Sequence, residues 1–132
     1  MAKKVLLVEE NSPHSLKTRQ LLEKKNYEVL VAGNGSEGLN KASQLRPDLI
    51  LLDTYLPDQS GYELCKQLKH NLQLRNIPVI VVSQESKLQS MVTAYEMGAD
   101  YYVMKNEEGQ RVLGLLVDAV FTRLSRRVLQ FS

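Results

Sequence analysis

Two kinds of hydrophobic pattern alternate along this chain. Short, β-branched apolar runs occupy Lys4–Val8, Glu28–Ala32, Asp48–Leu52, Ile77–Val82 and Asp100–Met104, each about the length of one strand. Leu49–Leu52 and Ile77–Val82 are apolar almost throughout, the pattern of a strand covered on both faces of a parallel sheet. Between the runs lie longer stretches with apolar residues at helical spacing. Ser12–Lys25 opens with Ser then Pro, a cap followed by the residue best suited to the first helical position. Asn34–Leu45 offers Leu39, Ala42 and Leu45, and Ser60–Leu72 offers Leu64, Cys65, Leu68 and Leu72 as one stripe. Glu85–Met97 offers Leu88, Met91, Val92 and Tyr95, and Glu107–Leu129 offers Leu113, Leu116, Val117, Val120 and Leu124. Gly35 and Gly38 weaken the second helix, and Gly109 and Gly114 blur the start of the fifth. Turn signals at Asn34-Gly35, Arg46-Pro47, Asn76-Ile77-Pro78 and Gly98 separate these elements. The pattern predicts strand and helix alternating five times. Right-handed crossovers then give a doubly wound α/β domain, a five-stranded parallel sheet with helices on both faces.

The length, 132 residues, is that of one domain spanning 1–132. Hydrophobic residues make up 43% and charged residues 24%, a soluble globular composition. No apolar run approaches the roughly 20 residues of a membrane span, and Glu9-Glu10 interrupts the apolar start too early for a signal peptide. The single Cys65 cannot form an internal disulfide, which points to a reducing, cytoplasmic setting. A net charge of +2 makes no case for nucleic-acid binding. Arg123, Arg126 and Arg127 read as the solvated end of a helix, with a basic docking patch as the alternative. The long fifth helix leaves monomer and weak homodimer both open.

In an open parallel sheet, ligands bind beyond the carboxyl ends of the strands. The polar residues at those ends are Glu9, Glu10 and Asn11 after the first strand, Gly33 and Asn34 after the second, Asp53 after the third, Ser83 after the fourth and Lys105 after the fifth. Taken singly, each is a turn, cap or solvated residue. Jointly they set three carboxylates, a hydroxyl and an ammonium on one edge. Clustered carboxylates repel unless a divalent cation joins them, and Mg²⁺ takes one or two carboxylates together with phosphate and water. A lysine adds a point charge for phosphate and a serine hydroxyl can donate to it. The set reads as a phosphoryl-transfer site with a carboxylate nucleophile.

From Lys4 to about Leu124 the chain resembles the receiver domain of two-component response regulators. The stretch Pro47-Asp48-Leu49-Ile50-Leu51-Leu52-Asp53-Thr54-Tyr55-Leu56-Pro57-Asp58-Gln59-Ser60-Gly61 is similar to the phosphoacceptor strand and loop of that family. Pro78-Val79-Ile80-Val81-Val82-Ser83 resembles its fourth strand, and Met97-Gly98-Ala99-Asp100-Tyr101-Tyr102-Val103-Met104-Lys105 the segment that delivers its lysine. The resemblance implies a flavodoxin-like sheet of order 2-1-3-4-5. It implies Asp53 as the phosphoacceptor for a sensor histidine kinase or phosphotransfer protein. Mg²⁺ would be held by Glu10, Asp53, the backbone carbonyl of Tyr55 and, through a water, Glu9. Ser83 and Lys105 would contact the phosphoryl group, and Tyr102 would pack inward as the switch aromatic. The chain would then be a switch rather than an enzyme with an external substrate, and its output a remodelled surface for a downstream protein, with no attached output domain and no contact with nucleic acid or membrane.

Three positions depart from that family. Glu stands at Glu10 where Asp is usual, and the longer side chain implies weaker Mg²⁺ binding. Gln84 follows Ser83 where a small residue is common, and Tyr55 and Glu85 are large at positions that tune water attack, which implies a slowly decaying phosphorylated state. Asn106 follows Lys105 in place of the usual Pro, so a trans bond and a less firmly aimed Lys105 are expected. These departures support a second reading, a pseudo-receiver that acts as an interaction module without phosphorylation. A flavin site is rejected, because Glu9-Glu10-Asn11 occupies the place where a phosphate loop would be required.

Overall fold

The structure, a computed structural model, describes residues 2–131, with side chains through Leu124. The elements run β1 (Lys4–Val8), α1 (Pro13–Lys24), β2 (Glu28–Ala32), α2 (Gly35–Leu45), β3 (Leu49–Asp53), α3 (Gly61–His70), β4 (Val79–Ser83), α4 (Leu88–Glu96), β5 (Tyr101–Met104) and α5 (Glu107–Phe131). All strand pairs are parallel and the sheet order is β2-β1-β3-β4-β5. This is the flavodoxin-like order, with five helices on two faces.

Strand alternation divides the core in two. In β1 and β3, Leu6, Val8, Ile50 and Leu52 face one layer with Ala42, Leu64, Cys65, Leu68 and Ala94. Val5, Leu7, Leu49 and Leu51 face the other, with Leu22 from α1 and Leu113, Val117, Val120 and Phe121 from α5. The period of two sends successive side chains to opposite faces, so a strand with both faces covered must be apolar throughout. All five residues of β3 and of β4 are buried accordingly.

Caps set the helix starts. Ser12 and Ser15 form a reciprocal capping box at α1, with Pro13 in the first turn. Asn34 and Ser60 cap α2 and α3 through their side chains. Left-handed residues follow the ends of three helices: Asn26 with φ 68° after α1, Arg46 with φ 43° after α2 and Gly98 with φ 100° after α4. Cys65 is free and buried, and burial pushes its thiol up to about 11, with a smaller opposing effect of Lys69.

Two helices are shorter than their sequence patterns. Helix α3 stops at His70 because Asn71 turns extended, so Leu72 is 76% exposed and Leu74 enters the core in its place. Helix α4 begins at Leu88, without a side-chain cap, because residues 84–87 form a loop tied to the site. Its apolar stripe is not core. Leu88, Val92 and Tyr95 are exposed and only Ala94 is buried. The fifth helix, by contrast, starts cleanly at Glu107. Gly109 is there because a Cβ would lie 1.7 Å from the Met104 carbonyl oxygen, whereas a Cβ at Gly114 would meet only side chains, the flexible end of Lys25 and Leu21. Among the basic residues near its end, Arg123 bonds the Tyr101 hydroxyl at 3.1 Å, while the side chains of Arg126 and Arg127 lie outside the described residues.

Candidate functional site

The carboxyl ends of β1, β3, β4 and β5 carry the polar groups toward one another. Glu9 follows β1 directly, its amide bonded to the Ala32 carbonyl at 3.0 Å. Asp53 and Ser83 are the last residues of β3 and β4. Lys105 follows β5, its amide bonded to the Ser83 carbonyl at 2.6 Å. Glu9, Asp53 and Ser83 are all buried, at 3%, 7% and 0% exposure. Buried charges persist only where they are paired.

Lys105 provides the pairing. Its Nζ lies 2.7 Å from Asp53 Oδ2 and 2.7 Å from Glu9 Oε1. The same Glu9 oxygen also accepts from His14 Nδ1 at 3.0 Å. The other oxygen of Asp53, Oδ1, accepts the Tyr55 amide at 3.1 Å. Burial by itself pushes the Glu9 carboxyl up, but the hydrogen bonds and charges of His14 and Lys105 outweigh it and leave the group below its ordinary value. For Lys105, burial pushes down while Asp53 and Glu9 pull harder upward, so the ammonium is held protonated. The Lys105–Asn106 bond is trans, as the sequence implies. The expected loosening of Lys105 does not follow, since two carboxylates fix its ammonium.

Glu10, Asn11, Ser12, Asp53, Tyr55, Gln84 and Lys105 line a cleft of about 240 Å³. The carboxylates do not all converge on it. Glu9 is drawn to Lys105 and His14, and among the described residues no three His, Cys, Asp or Glu side chains are grouped as a ready metal cage. Two carboxylates, those of Glu10 and Asp53, stand on the cleft wall beside Tyr55. That donor set fits an ion that keeps most of its water and completes its shell with phosphate oxygens, as Mg²⁺ does. It does not resemble the all-protein cage of a Ca²⁺ site.

Ser83 is brought to the site's edge but not onto the cleft wall, which Gln84 occupies. Its hydroxyl lies 3.1 Å from Thr54 Oγ1 and accepts the Glu85 amide at 3.0 Å. The carbonyl of the same Glu85 accepts the Tyr102 hydroxyl at 2.7 Å. Tyr102 is half-buried, and its hydroxyl is hooked to the β4–α4 loop through that carbonyl. At the mouth, the Tyr55 hydroxyl reaches Glu85 Oε1 at 3.4 Å. Sequence reasoning missed His14 and Thr54. His14 was legible in part: the Ser12-Pro13 helix start sets it in the first turn, four residues after Glu10.

The model of the response regulator receiver domain matches residues 5–116 of the chain. The chain belongs to that family. This receiver is 39% identical over 105 residues to the polar-differentiation response regulator DivK of Brucella anthropi, covering 80% of the chain and 85% of DivK. Among solved structures it is similar to the receiver domain of a signal transduction histidine kinase from Syntrophus aciditrophicus, at 33% identity and a TM-score of 0.85, with 95% and 94% of the two chains covered. It is also similar to the Mn(2+)-bound form of response regulator Rcp1 (25% identity, TM-score 0.77, 85% and 89% covered). A further similarity is to the phosphorylated cyanobacterial phytochrome response regulator RcpA (26%, TM-score 0.79, 88% and 91% covered). As a receiver domain it is a module of two-component signalling rather than a conventional enzyme.

Proposed function

We propose that this receiver accepts a phosphoryl group on Asp53 from the phosphohistidine of a sensor histidine kinase or phosphotransfer protein. The observation that carries the reading is the placement of Lys105 Nζ at 2.7 Å from Asp53 Oδ2, in a cleft that Glu10 also lines. A carboxylate oxygen of Asp53 attacks phosphorus, the P–N bond breaks, and the imidazole leaves with the electron pair, taking a proton. The product is an acyl phosphate. Lys105 follows the negative charge onto the phosphoryl oxygens while Glu9 keeps its second hold on the ammonium. Glu10, Asp53 and the Tyr55 carbonyl would hold Mg²⁺, with Glu9 reaching it through water. The ion supplies charge neutralisation for the transferring group.

The switch runs through one peptide unit. Phosphorylation replaces a single charge by a group near −2 with strong acceptor oxygens. The Ser83 hydroxyl is drawn to that group and releases the Glu85 amide. Because the Glu85 carbonyl anchors Tyr102, release at one end of the residue loosens the ring at the other. The surface changed is that of α4, β5 and α5, where Tyr95, Tyr101, Tyr102, Val112, Leu115 and Leu116 border a wide depression of about 800 Å³. A downstream protein would read it. A cytoplasmic setting fits the free, buried Cys65, and no helix among the described residues is long and apolar enough to cross a membrane. The Tyr55–Glu85 contact across the mouth favours a long-lived acyl phosphate by hindering water.

Incubation with acetyl phosphate and Mg²⁺, followed by intact mass, tests the reading. The expected result is one added phosphoryl group, absent in Asp53→Ala. No adduct on the unmodified chain would favour the pseudo-receiver instead. The observation on that side is that Gln84, not Ser83, lines the cleft.

A further inference from the structure

The acidic pair at the end of β1 is treated unequally. Glu10 is exposed and lines the cleft, whereas Glu9 is 3% exposed and its Oε1 accepts from two donors at once, His14 Nδ1 at 3.0 Å and Lys105 Nζ at 2.7 Å. A carboxylate held ionised has no hydrogen to give, so His14 Nδ1–H is the donor. The imidazole sits in the first turn of α1, whose capping box and Pro13 fix its backbone. The ring is therefore held by the helix start, and it in turn holds Glu9. No other protein donor to Glu9 occurs among the described side-chain hydrogen bonds.

We propose that His14 is a positioning residue that pins Glu9 against Lys105 and thereby keeps its carboxylate from coordinating the divalent ion directly. The inference rests on the phosphoacceptor reading above. The physical reason is competition for one anion. Glu9, Glu10 and Asp53 bring three negative charges to the rim and Lys105 returns one positive charge. While Glu9 Oε1 is shared between an ammonium and an imidazole, the cleft presents only Glu10 and Asp53. With the imidazole gone, Glu9 keeps a single anchor, and its freed rotamers let it turn toward an ion beside Asp53. Affinity for Mg²⁺ then rises by roughly the net worth of one ordinary hydrogen bond, about three- to tenfold. The device is also directional, because it sets ion affinity without touching the ion.

The test is an Mg²⁺ titration followed by amide NMR shifts at Tyr55 and Lys105, on the full chain and on His14→Ala, His14→Asn and Glu9→Gln. His14→Ala is expected to bind Mg²⁺ roughly three- to tenfold more tightly. His14→Asn carries an amide N–H at the same remove from the backbone and is expected to restore the original dissociation constant. Glu9→Gln in combination with His14→Ala is expected to abolish the gain. A residue that merely supported the fold would weaken binding when removed. Unchanged or weaker binding in His14→Ala, or a gain that survives in the double variant, overturns the proposal. Phosphoryl uptake by the unmodified chain is measured in parallel. Its absence sinks the phosphoacceptor reading, whatever the order of the Mg²⁺ constants.

Discussion

At the scale of single residues, the length of a side chain and the fate of one hydroxyl decide the most. Glu10 stands on the cleft wall with one methylene more than Asp would have. An octahedral ion at about 2.0–2.1 Å tolerates little misplacement, and a longer side chain loses more rotamer freedom on binding. Glu10→Asp is expected to tighten Mg²⁺ binding, measured by the same titration; an unchanged or weaker constant would show that the extra reach is not a handicap. Tyr62 poses a different problem. It packs beside Tyr102, and its buried hydroxyl has no hydrogen-bond partner. Tyr102 donates its own hydrogen to the Glu85 carbonyl, which leaves its oxygen as the one atom of that neighbour able to accept from Tyr62. A buried orphan hydroxyl costs about 1–3 kcal/mol. Tyr62→Phe is therefore expected to raise stability by about 1 kcal/mol, read from the urea midpoint. A loss of stability would mean that a partner, such as an ordered water, satisfies the group.

At the scale of elements, the site depends on how closely α3 returns to the end of β3. The Gly61 amide bonds the Thr54 carbonyl at 2.8 Å, and Tyr55 and Ser60 form an isolated antiparallel bridge. A Cβ on Gly61 would lie 2.0 Å from the Asp53 backbone oxygen. No side-chain rotation relieves a clash with backbone. Gly61→Ala is expected to destabilise the domain by about 2–4 kcal/mol and to shift the Asp53 and Tyr55 amides by NMR; a stability within error of the original would refute the close approach. The far side of the same loop is tied to α2, where Asp58 accepts the amides of Gly35 and Ser36 at 2.7 and 2.9 Å. On the opposite face, Asp118 of α5 takes Lys25 Nζ at 2.8 Å and the Tyr27 hydroxyl at 2.5 Å, joining α1, β2 and α5. Burial, then the bond to Asp118, pushes the Tyr27 phenol upward. The site is thus assembled between two fixed layers, while α4 starts without a side-chain cap and buries only Ala94.

At the scale of the molecule, the buried charges couple stability to pH. Glu9 sits below its ordinary value of 4.5, so its contribution is present above that value and is lost as pH falls through the lowered native one. Lys105 sits above its ordinary 10.5, so its contribution is complete below that value and is lost as pH rises through the raised native one. Urea midpoints are expected to fall at both ends, with the acid limb shared by other lowered carboxylates such as Asp118. Glu9→Gln should make the acid limb shallower, and Lys105→Met should flatten the alkaline one. An acid limb of unchanged slope in Glu9→Gln would show that Glu9 is not ionised as described.

How much of this was legible in the chain itself divides along a physical line. Alternation of period 2 against period 3.6, the Ser12-Pro13 start, the cap at Asn34 and the unbroken apolar runs of β3 and β4 are local, so the five α/β units and their burial follow from the sequence alone. The parallel arrangement then obliges Glu9, Asp53, Ser83 and Lys105 to one rim, whatever else happens. Which partner each rim residue takes is not local. Leu72 carries the helical spacing that Leu74 lacks, yet only packing decided that Leu74 is buried. Three carboxylates on one edge look alike in the chain; the reach of Lys105 separated Glu9 and Asp53 from Glu10, and the ring of His14 separated Glu9 from Asp53. Periodicity fixes which way a side chain faces, but pairing energies between residues far apart in sequence exist only once the backbone has brought them within hydrogen-bond distance.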